Sequence, residues 1–370
     1  MIFITGSSGY LGSYVVEKLL REYKQNLAVL IRGRDEKEAT EKLWESLQLH
    51  MNEDEFLEHL KTRIKIFRGD LSEKKFGLNE DSWLQLVEQT HSIIHCAASL
   101  NRKSDKVCMN VNLKGTLQII QLAREIQTHH GLDRLSFVST VAVAGHRHHE
   151  VVLEDQSVDW NRSDYDPYAR TKKFCEHMVT ELLPDVSTVI FRPSIILGDS
   201  RFAKTTQFDM AQAFVWLQKL PILPFDKNWK LDIVPANYVG YAIADIHQKK
   251  HPNHRIYHLS SGEGSLNYDQ ITDALKQHGM KKPHFIPTIE PLFRGAIQLA
   301  ANSPKKIGIS GAGMLLKVFF PYLTFNTVFK NQRVVDEVGT SPVPFSDYAH
   351  SLYEFVTEHN FKYPYKPLQK

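Results

Sequence analysis

The sequence has few cysteines, almost no net charge and no long hydrophobic run. Three cysteines (Cys96, Cys108 and Cys175) among 370 residues form no disulfide framework, so we expect a reducing, cytoplasmic location. The 45 lysines and arginines nearly balance the 42 aspartates and glutamates, which argues against a nucleic-acid partner. The most apolar stretch, residues 307–325, is interrupted by Lys317. We therefore predict no transmembrane segment.

Short apolar runs alternate with helical patterns over the first two-thirds of the chain. The runs are at residues 2–5, 27–31, 64–67, 93–97, 135–138, 189–191, 231–234 and 255–259. Strands that alternate with helices form parallel sheets covered on both faces, so we predict an α/β fold with a doubly wound parallel (Rossmann) sheet. The last hundred residues read as mostly helical and irregular. We predict an NADP-binding domain at 1–195 and 231–262 and a smaller, mainly helical substrate-binding lobe at 196–230 and 263–370.

A glycine-rich turn follows the first apolar run immediately, with the sequence TGSSGYLG at residues 5–12. Glycine lets backbone approach a pyrophosphate closely, and the N-terminus of the next helix offers unpaired N–H groups to it. The G-x-x-G-x-x-G spacing alone is weak evidence and fits a simple tight turn equally well. Its position between the first strand and the first helix favours a dinucleotide site.

Arginine stands where the second predicted strand ends, at Arg32, with Arg34 close by. An acidic residue there would bind the ribose hydroxyl of NAD, whereas a guanidinium suits the 2′-phosphate of NADP. We therefore favour NADP(H), although Arg32 could be an ordinary surface residue. The acidic residue Asp35 lies nearby and could complicate this choice between NAD and NADP. We interpret it instead as the start of a helical capping box with Glu38.

Tyr168 and Lys172 lie four residues apart in a predicted helix, so they share a helix face. A neighbouring ammonium stabilises a phenolate, so we expect Lys172 to lower the pKa of Tyr168 and make it a proton donor to a carbonyl oxygen. Thr140, at the end of the fifth predicted strand, is placed to hold that carbonyl. Ser139 could do so instead, and both hydroxyls could simply cap the following segment.

Taken together, these elements resemble an extended short-chain dehydrogenase/reductase. Within that group the sequence is most similar to male-sterility-type fatty acyl-CoA reductases and to thioester reductase domains of carboxylic acid reductases and peptide synthetases. The motifs that carry the resemblance are TGSSGYLG at 5–12, VLIR at 29–32, RGDL at 68–71, HCAA at 95–98, Asn112-x-x-Gly115-Thr116, Ser139-Thr140, Tyr168-x-x-x-Lys172 and Arg192-Pro193-Ser194.

The resemblance implies roles for the matching cofactor-binding positions. The pyrophosphate would be held by Gly6, Ser8, Gly9, Tyr10 and Leu11. The 2′-phosphate would be bound by Arg32, with Arg34 as a second candidate, and the adenine would be bordered by Asp70 and Leu71. The nicotinamide would be lined or flanked by Ala97, Ala98, Asn112, Pro193 and Ile195, with its ribose held by Lys172. Tyr168 would protonate the substrate oxygen and Thr140 would orient the carbonyl.

The activity implied by the resemblance is NADPH-dependent reduction of a fatty acyl thioester to an aldehyde, or further to an alcohol. The thioester would be carried on CoA or on a separate carrier protein. One alternative is an extended short-chain dehydrogenase or epimerase that acts on a ketone, a sterol or a nucleotide-sugar. A second alternative is a non-catalytic NADPH-binding sensor.

Two further segments have competing interpretations. The histidines at 146, 148 and 149 could bind zinc, but we interpret them as a solvated loop and predict no metal. Residues 307–325 are read first as core of the lobe, second as the wall of an acyl tunnel and third as a membrane-facing patch supported by Lys305, Lys306 and Lys317. Because of the third reading, peripheral contact of this segment with a membrane stays an open alternative.

Overall fold

The computed structural model describes residues 1–155, 158–302 and 310–369. Its strands are β1 (Ile2–Thr5), β2 (Leu27–Ile31), β3 (Ile64–Arg68), β4 (Ser92–His95), β5 (Arg134–Val138), β6 (Val151–Val152), β7 (Thr188–Pro193), β8 (Ile195–Ile196), β9 (Ile222–Leu223), β10 (Lys230–Leu231), β11 (Ile233–Val234), β12 (Ile256–Leu259), β13 (Leu266–Asn267), β14 (His284–Phe285) and β15 (Val328–Phe329). Its α-helices are α1 (Tyr10–Glu22), α2 (Glu36–Leu47), α3 (Glu53–Thr62), α4 (Glu80–Gln89), α5 (Asp105–Cys108), α6 (Lys114–His129), α7 (Pro167–Leu182), α8 (Phe208–Lys219), α9 (Ala236–Gln248), α10 (Tyr268–Gln277), α11 (Glu290–Asn302), α12 (Ser310–Leu323), α13 (Gln332–Val338) and α14 (Ala349–Glu358).

The central sheet has the strand order β12-β7-β5-β4-β1-β2-β3, and all its neighbouring strands are parallel. The chain winds outward from β1 in both directions, so the strand order reverses between β1 and β4. Thr5, the last residue of β1, is in register with Leu30 on one side and His95 on the other. Ligands bind beyond the carboxyl ends of the strands at such a reversal. The predicted doubly wound α/β fold is confirmed.

Both faces of this sheet are buried, and successive residues of each central strand serve opposite faces. Ile4 and Val29 pack into a core with α1 and α9, whereas Phe3 and Ala28 pack into a separate core with α4 and α6. Burying a side chain such as Ile4 stabilises the fold by about 1.5–3 kcal/mol. The unbroken apolar runs in the sequence are the consequence of this two-sided burial.

A third core belongs to the second half of the chain, where α8, α10, α12 and α14 pack together. Phe320, Leu323 and Phe325 are buried in it, so the core interpretation holds for this part of 307–325. Lys305, Lys306 and residues 307–309 lie outside the described residues. None of the described helices is long and apolar enough to cross a membrane.

Two local predictions differ from the structure. Residues 231–234, predicted as a strand of the sheet, instead form β10 and β11, which pair with β13 and β8 outside it. The polar Asp232 between them is buried and interrupts the run. Asp35 does cap α2 by accepting from the Glu38 backbone N–H, but the Glu38 carboxylate accepts from the backbone of Arg34, so the capping box is shifted by one residue. The two predicted domain boundaries stay a prediction.

Candidate active site

A cavity of about 480 Å³ opens at the carboxyl ends of the central strands, where the strand order reverses. It runs from the glycine turn to the start of α7. Most of the residues predicted for the site line this cavity, namely Gly6, Ser8, Gly9, Tyr10, Leu11, Arg32, Asp70, Leu71, Ala97, Ala98, Thr140, Tyr168, Lys172, Pro193 and Ile195. Two predicted residues, Arg34 and Asn112, are not part of its wall.

The glycine turn is packed too tightly for side chains at two of its positions. Gly6 has a φ of +79°, and a Cβ there would lie 2.6 Å from the backbone nitrogen of Ala97. A Cβ on Gly12 would lie 2.0 Å from the carbonyl oxygen of Gly6. The backbone N–H of Gly9 donates to that same oxygen at 2.9 Å, which closes the turn. The first N–H groups of α1 therefore face the cavity without helical acceptors, as a pyrophosphate requires.

Arg32 lines the same cavity as the glycine turn. Its side chain is 74% exposed and lies 3.9 Å from the Asp70 carboxylate. Arg32 is thus free to meet a ligand phosphate. Arg34 is held elsewhere, because its Nε donates to Glu38 at 2.8 Å. The expectation that Arg34 also binds the 2′-phosphate is not supported by this arrangement, since the ion pair with the first turn of α2 directs it away from the cavity.

The predicted reactive side chains meet at the other end of the cavity. Helix α7 begins with Pro167 and is capped by Asp166, whose carboxylate accepts from the Ala169 N–H at 2.8 Å. This start places Tyr168 in the wall near Thr140, whose hydroxyl lowers the pKa of the phenol. Ser139 also lines the cavity, but its hydroxyl has no partner within the described chain. The effect of Thr140 on the phenol favours Thr140 over Ser139.

The acidity of Tyr168 differs from the sequence-based prediction. Burial raises the pKa of Tyr168 to about 12, and Arg102 is the main charge that opposes this rise. Lys172 donates instead to the Val138 carbonyl at 2.6 Å, and burial lowers the pKa of this ammonium. The net shift of this pKa is thus opposite to the lowering expected from Lys172, and the role of Lys172 stays a prediction. A phenol with so high a pKa is protonated at pH 7 and can donate a proton.

Asn112 was predicted beside the nicotinamide, but it is buried beneath the cavity. Its amide oxygen accepts from the Ser99 N–H at 2.7 Å, and its amide nitrogen donates to the Thr171 hydroxyl at 2.9 Å. It belongs to the π-helical turn Met109–Leu113, which joins α5 to α6. The prediction that Asn112 lines the path is wrong, because these bonds direct its side chain to the loop after β4 and to α7.

Several wall residues at the reactive end were not predicted, among them Arg102, Tyr322 and Asp232. Asp232 accepts from the Ser194 hydroxyl at 2.7 Å and from the Ser261 N–H at 2.8 Å. Burial raises the pKa of its carboxyl to about 7, although these hydrogen bonds favour the charged form. One polar residue inside an apolar run was the available signal for Asp232. No local signal marked the others.

A wider groove of about 1260 Å³ adjoins the cavity, and Leu100, Arg102 and Met210 line both. Its far wall is the apolar face of α12, with Leu315, Val318 and Phe319. Charged residues, among them Lys42, Glu45 and Lys103, line other parts of the groove. The groove therefore offers a path with one apolar side that leads into the cavity containing Tyr168. The histidines at 146, 148 and 149 do not line the cavity. The described residues contain no group of three His, Cys, Asp or Glu side chains that could hold a metal ion.

The glycine turn at the strand reversal, together with Thr140 after β5 and with Tyr168 and Lys172 on α7, defines a nicotinamide-dinucleotide domain of the short-chain dehydrogenase/reductase type. Residues 4–243 match the Male sterility protein family. The chain belongs to that family, which confirms the predicted resemblance and, at the level of the family, the predicted class of oxidoreductase.

Individual relatives agree with this assignment. The terminal R domain from the myxalamid PKS-NRPS biosynthetic pathway has a TM-score of 0.82 at 23% identity, over 97% of this chain and 91% of that domain. The nonribosomal peptide synthetase asaC of Aspergillus flavus is 27% identical over 75% of this chain. A candidate fatty acyl-CoA reductase of Drosophila melanogaster is 25% identical over the same share. The matches span 28% and 62% of the lengths of these two proteins.

Proposed function

We propose that this protein reduces a fatty acyl thioester with NADPH, releasing a thiol and an aldehyde. The observation that carries the proposal is the single cavity that joins the glycine turn to Tyr168 and Thr140. A cofactor on the turn would point its reactive end at the phenol. The relatives named as peptide synthetase R domain and fatty acyl-CoA reductase support a thioester as the substrate.

The choice of NADPH over NADH rests on Arg32. Its guanidinium is exposed at the end of β2, where a 2′-phosphate would reach it. The Asp70 carboxylate lies 3.9 Å from that guanidinium, too far for a short ion pair that would neutralise its charge. Arg32 keeps donors available for a ligand, so a phosphorylated ribose is favoured.

When bound, the reduced nicotinamide supplies the hydride, and the residues of this chain manage the oxygen and the proton. Thr140 and Tyr168 would donate hydrogen bonds to the carbonyl oxygen as negative charge develops there. Tyr168 then gives its proton to that oxygen, and the carbon–sulfur bond breaks to leave an aldehyde and a thiol. The balance is one thioester, one NADPH and one proton consumed for each aldehyde and thiol formed. A second turn of the same site would convert the aldehyde to the alcohol.

The groove beside the cavity suits the acyl part of such a substrate. Leu315, Val318 and Phe319 give it an apolar wall, and the thioester carbon can reach Tyr168 where the groove meets the cavity. Burial of methylene groups against this wall would contribute about 0.8 kcal/mol each. CoA and carrier-bound esters share this acyl chemistry, so the two are compared directly in the experiment.

The test is NADPH consumption with palmitoyl-CoA and with a palmitoyl carrier protein, measured together with free thiol release and product identity. The proposal predicts that thiol release accompanies NADPH loss, with one NADPH per thiol if reduction stops at the aldehyde and two if it continues to the alcohol. NADH in place of NADPH should give a much lower rate.

Three results would support the alternatives instead. Consumption of NADPH with ketones or aldehydes but with no thioester of any chain length would leave only a general short-chain reductase. Copurification of tightly held NAD would indicate an epimerase. Binding of NADPH without turnover of any of these substrates, unchanged in a Tyr168→Phe variant, would indicate a sensor.

A further inference from the structure

Arg102 holds an unusual position for a charged side chain. It lies in the loop between β4 and α5, yet only 16% of its side chain is exposed. Its guanidinium carbon is 5.3 Å from the ring centroid of Tyr168, 5.2 Å from that of Phe319 and 5.2 Å from that of Tyr322. Three aromatic rings therefore enclose one cation, and cation–π attraction in such partly desolvated settings is substantial.

Asp166 contacts both Arg102 and one of the three surrounding rings, Tyr322. The Arg102 Nε lies 3.3 Å from the Asp166 carboxylate, which also accepts from the Tyr322 hydroxyl at 2.6 Å and caps α7 through the Ala169 N–H. Asp166 thus fixes Arg102 relative to the first turn of α7, the turn that bears Tyr168. The remaining guanidinium nitrogens lie where the cavity and the groove meet, since Arg102 lines both.

The charged and polar groups that face Tyr168 can be assigned element by element. From the loop after β4, Arg102 lowers the pKa of the phenol and Cys96 raises it. Asp166, at the start of α7, raises it, and Thr140, after β5, lowers it. The Lys172 ammonium is bound to a carbonyl of β5 instead. Arg102 is accordingly the positive charge best placed to stabilise the phenolate.

We propose that Arg102 is a positioning residue that stabilises the Tyr168 oxygen from the substrate side when the phenol gives up its proton. The inference rests on the proposed function only for its kinetic consequence. Its electrostatic part concerns the protein without substrate and can be measured independently. A guanidinium remains charged at every accessible pH, so the support it gives Tyr168 does not itself titrate.

The first experiment places 3,5-difluorotyrosine at position 168, so that fluorine NMR reports this one phenol and its titration falls within reach. An opposite charge at this distance shifts a pKa by about one unit or more. We therefore expect the Arg102→Met variant to raise the midpoint of that titration by about one pH unit, and the Arg102→Lys variant to raise it less. Lys106→Met, which removes an exposed charge from α5, is the matched control and should leave it unchanged.

The second experiment measures the single-turnover reduction of palmitoyl-CoA. Arg102→Met should lower the rate at least about tenfold through a weaker acid, while Arg102→Lys recovers part of it. NADPH affinity and the melting temperature check folding in each variant, and Arg102→Gln replaces Arg102→Met if that protein does not fold. An unshifted fluorine titration in the folded neutral variant would overturn the inference. A shifted titration without thioester reduction in the wild type would instead count against the proposed function alone.

Discussion

The two ends of the cavity are built from different materials. At the cofactor end the wall includes Gly6, Gly9 and Gly12, which have no side chains and so offer backbone to a ligand after β1. At the substrate end the wall is mostly side chains, including Arg102 and Tyr322, which come from distant parts of the chain. The first end requires only a short local sequence, whereas the second exists only after the lobe has packed against the sheet.

This difference has consequences for what each end tolerates. Backbone recognition leaves little freedom for change, since a single added Cβ would enter space already filled by peptide atoms. Side-chain recognition leaves much more freedom, because each group in the substrate wall can be replaced without altering the chain path. One cofactor site can thus be kept while the substrate wall varies, as expected when function is carried by sites built onto a common fold.

Gly12→Ala should have the largest effect on cofactor binding. The new Cβ would lie 2.0 Å from the Gly6 carbonyl oxygen, so the turn must open. We expect the free energy of unfolding to fall by about 1–3 kcal/mol and NADPH binding to be lost, measured by denaturation and by fluorescence titration. Gly264→Ala is the control, because a Cβ there meets nothing within 4 Å. Normal NADPH affinity in Gly12→Ala would contradict the account of the turn.

A smaller effect should distinguish the two arginines at the rim. Arg32→Ala should weaken NADPH binding by about 10- to 100-fold while leaving NADH binding nearly unchanged, since charged hydrogen bonds contribute about 1.5–3 kcal/mol. Arg34→Ala should alter neither, because Arg34 is bound to Glu38. Isothermal titration with both cofactors measures the comparison. If Arg34→Ala caused the larger loss of NADPH affinity, the assignment of the 2′-phosphate to Arg32 would be wrong.

Asp232, in the cavity wall, should make the free energy of unfolding depend on pH. Its carboxyl has a pKa of about 7 when folded, against 3.8 in the unfolded chain, so between these values the folded state alone holds the proton. Stability from this group is therefore present below about pH 4 and is lost as the pH rises to about 7. The full loss is about 1–4 kcal/mol.

Asp232→Asn removes this titration. Urea denaturation of both proteins from pH 4 to pH 8 should show a flatter dependence in the variant. Asp226→Asn is a matched control, because Asp226 lies in the same region but outside the cavity wall and caps a turn at the Asn228 N–H. Identical slopes for the wild type and Asp232→Asn would show that Asp232 is ionised in the folded protein.

The same difference explains how much of the molecule could be predicted from sequence. The sheet was predictable because β1 and β2 are buried on both faces and so appear as apolar runs in the sequence. Gly6 and Tyr168 were predictable because each belongs to a short local pattern. Arg102 was not predictable, since its contacts join residues separated by more than two hundred positions in sequence. Only the packed lobe brings such residues to one place.

The differences between the predictions and the structure have a similar physical origin. Lys172 was expected to lower the pKa of Tyr168 because the two are neighbours on one helix face, but in the structure its ammonium donates to the Val138 carbonyl at 2.6 Å. Asn112 matched a pattern, yet its side chain meets its hydrogen-bonding needs at Ser99 and Thr171. Spacing along the chain indicated which residues would be near the site, and competition among hydrogen-bond partners decided their orientation.

The central claim is that Tyr168 donates the proton in thioester reduction, and single-turnover kinetics of Tyr168→Phe with NADPH and palmitoyl-CoA test it most directly. Loss of a general acid predicts a rate about 10²- to 10⁴-fold lower, with thiol release lost in parallel and NADPH still bound. Tyr23→Phe, which removes a phenol that donates to Asp245 at the far end of α1, should retain the wild-type rate. An undiminished rate of thiol release in Tyr168→Phe would contradict the claim.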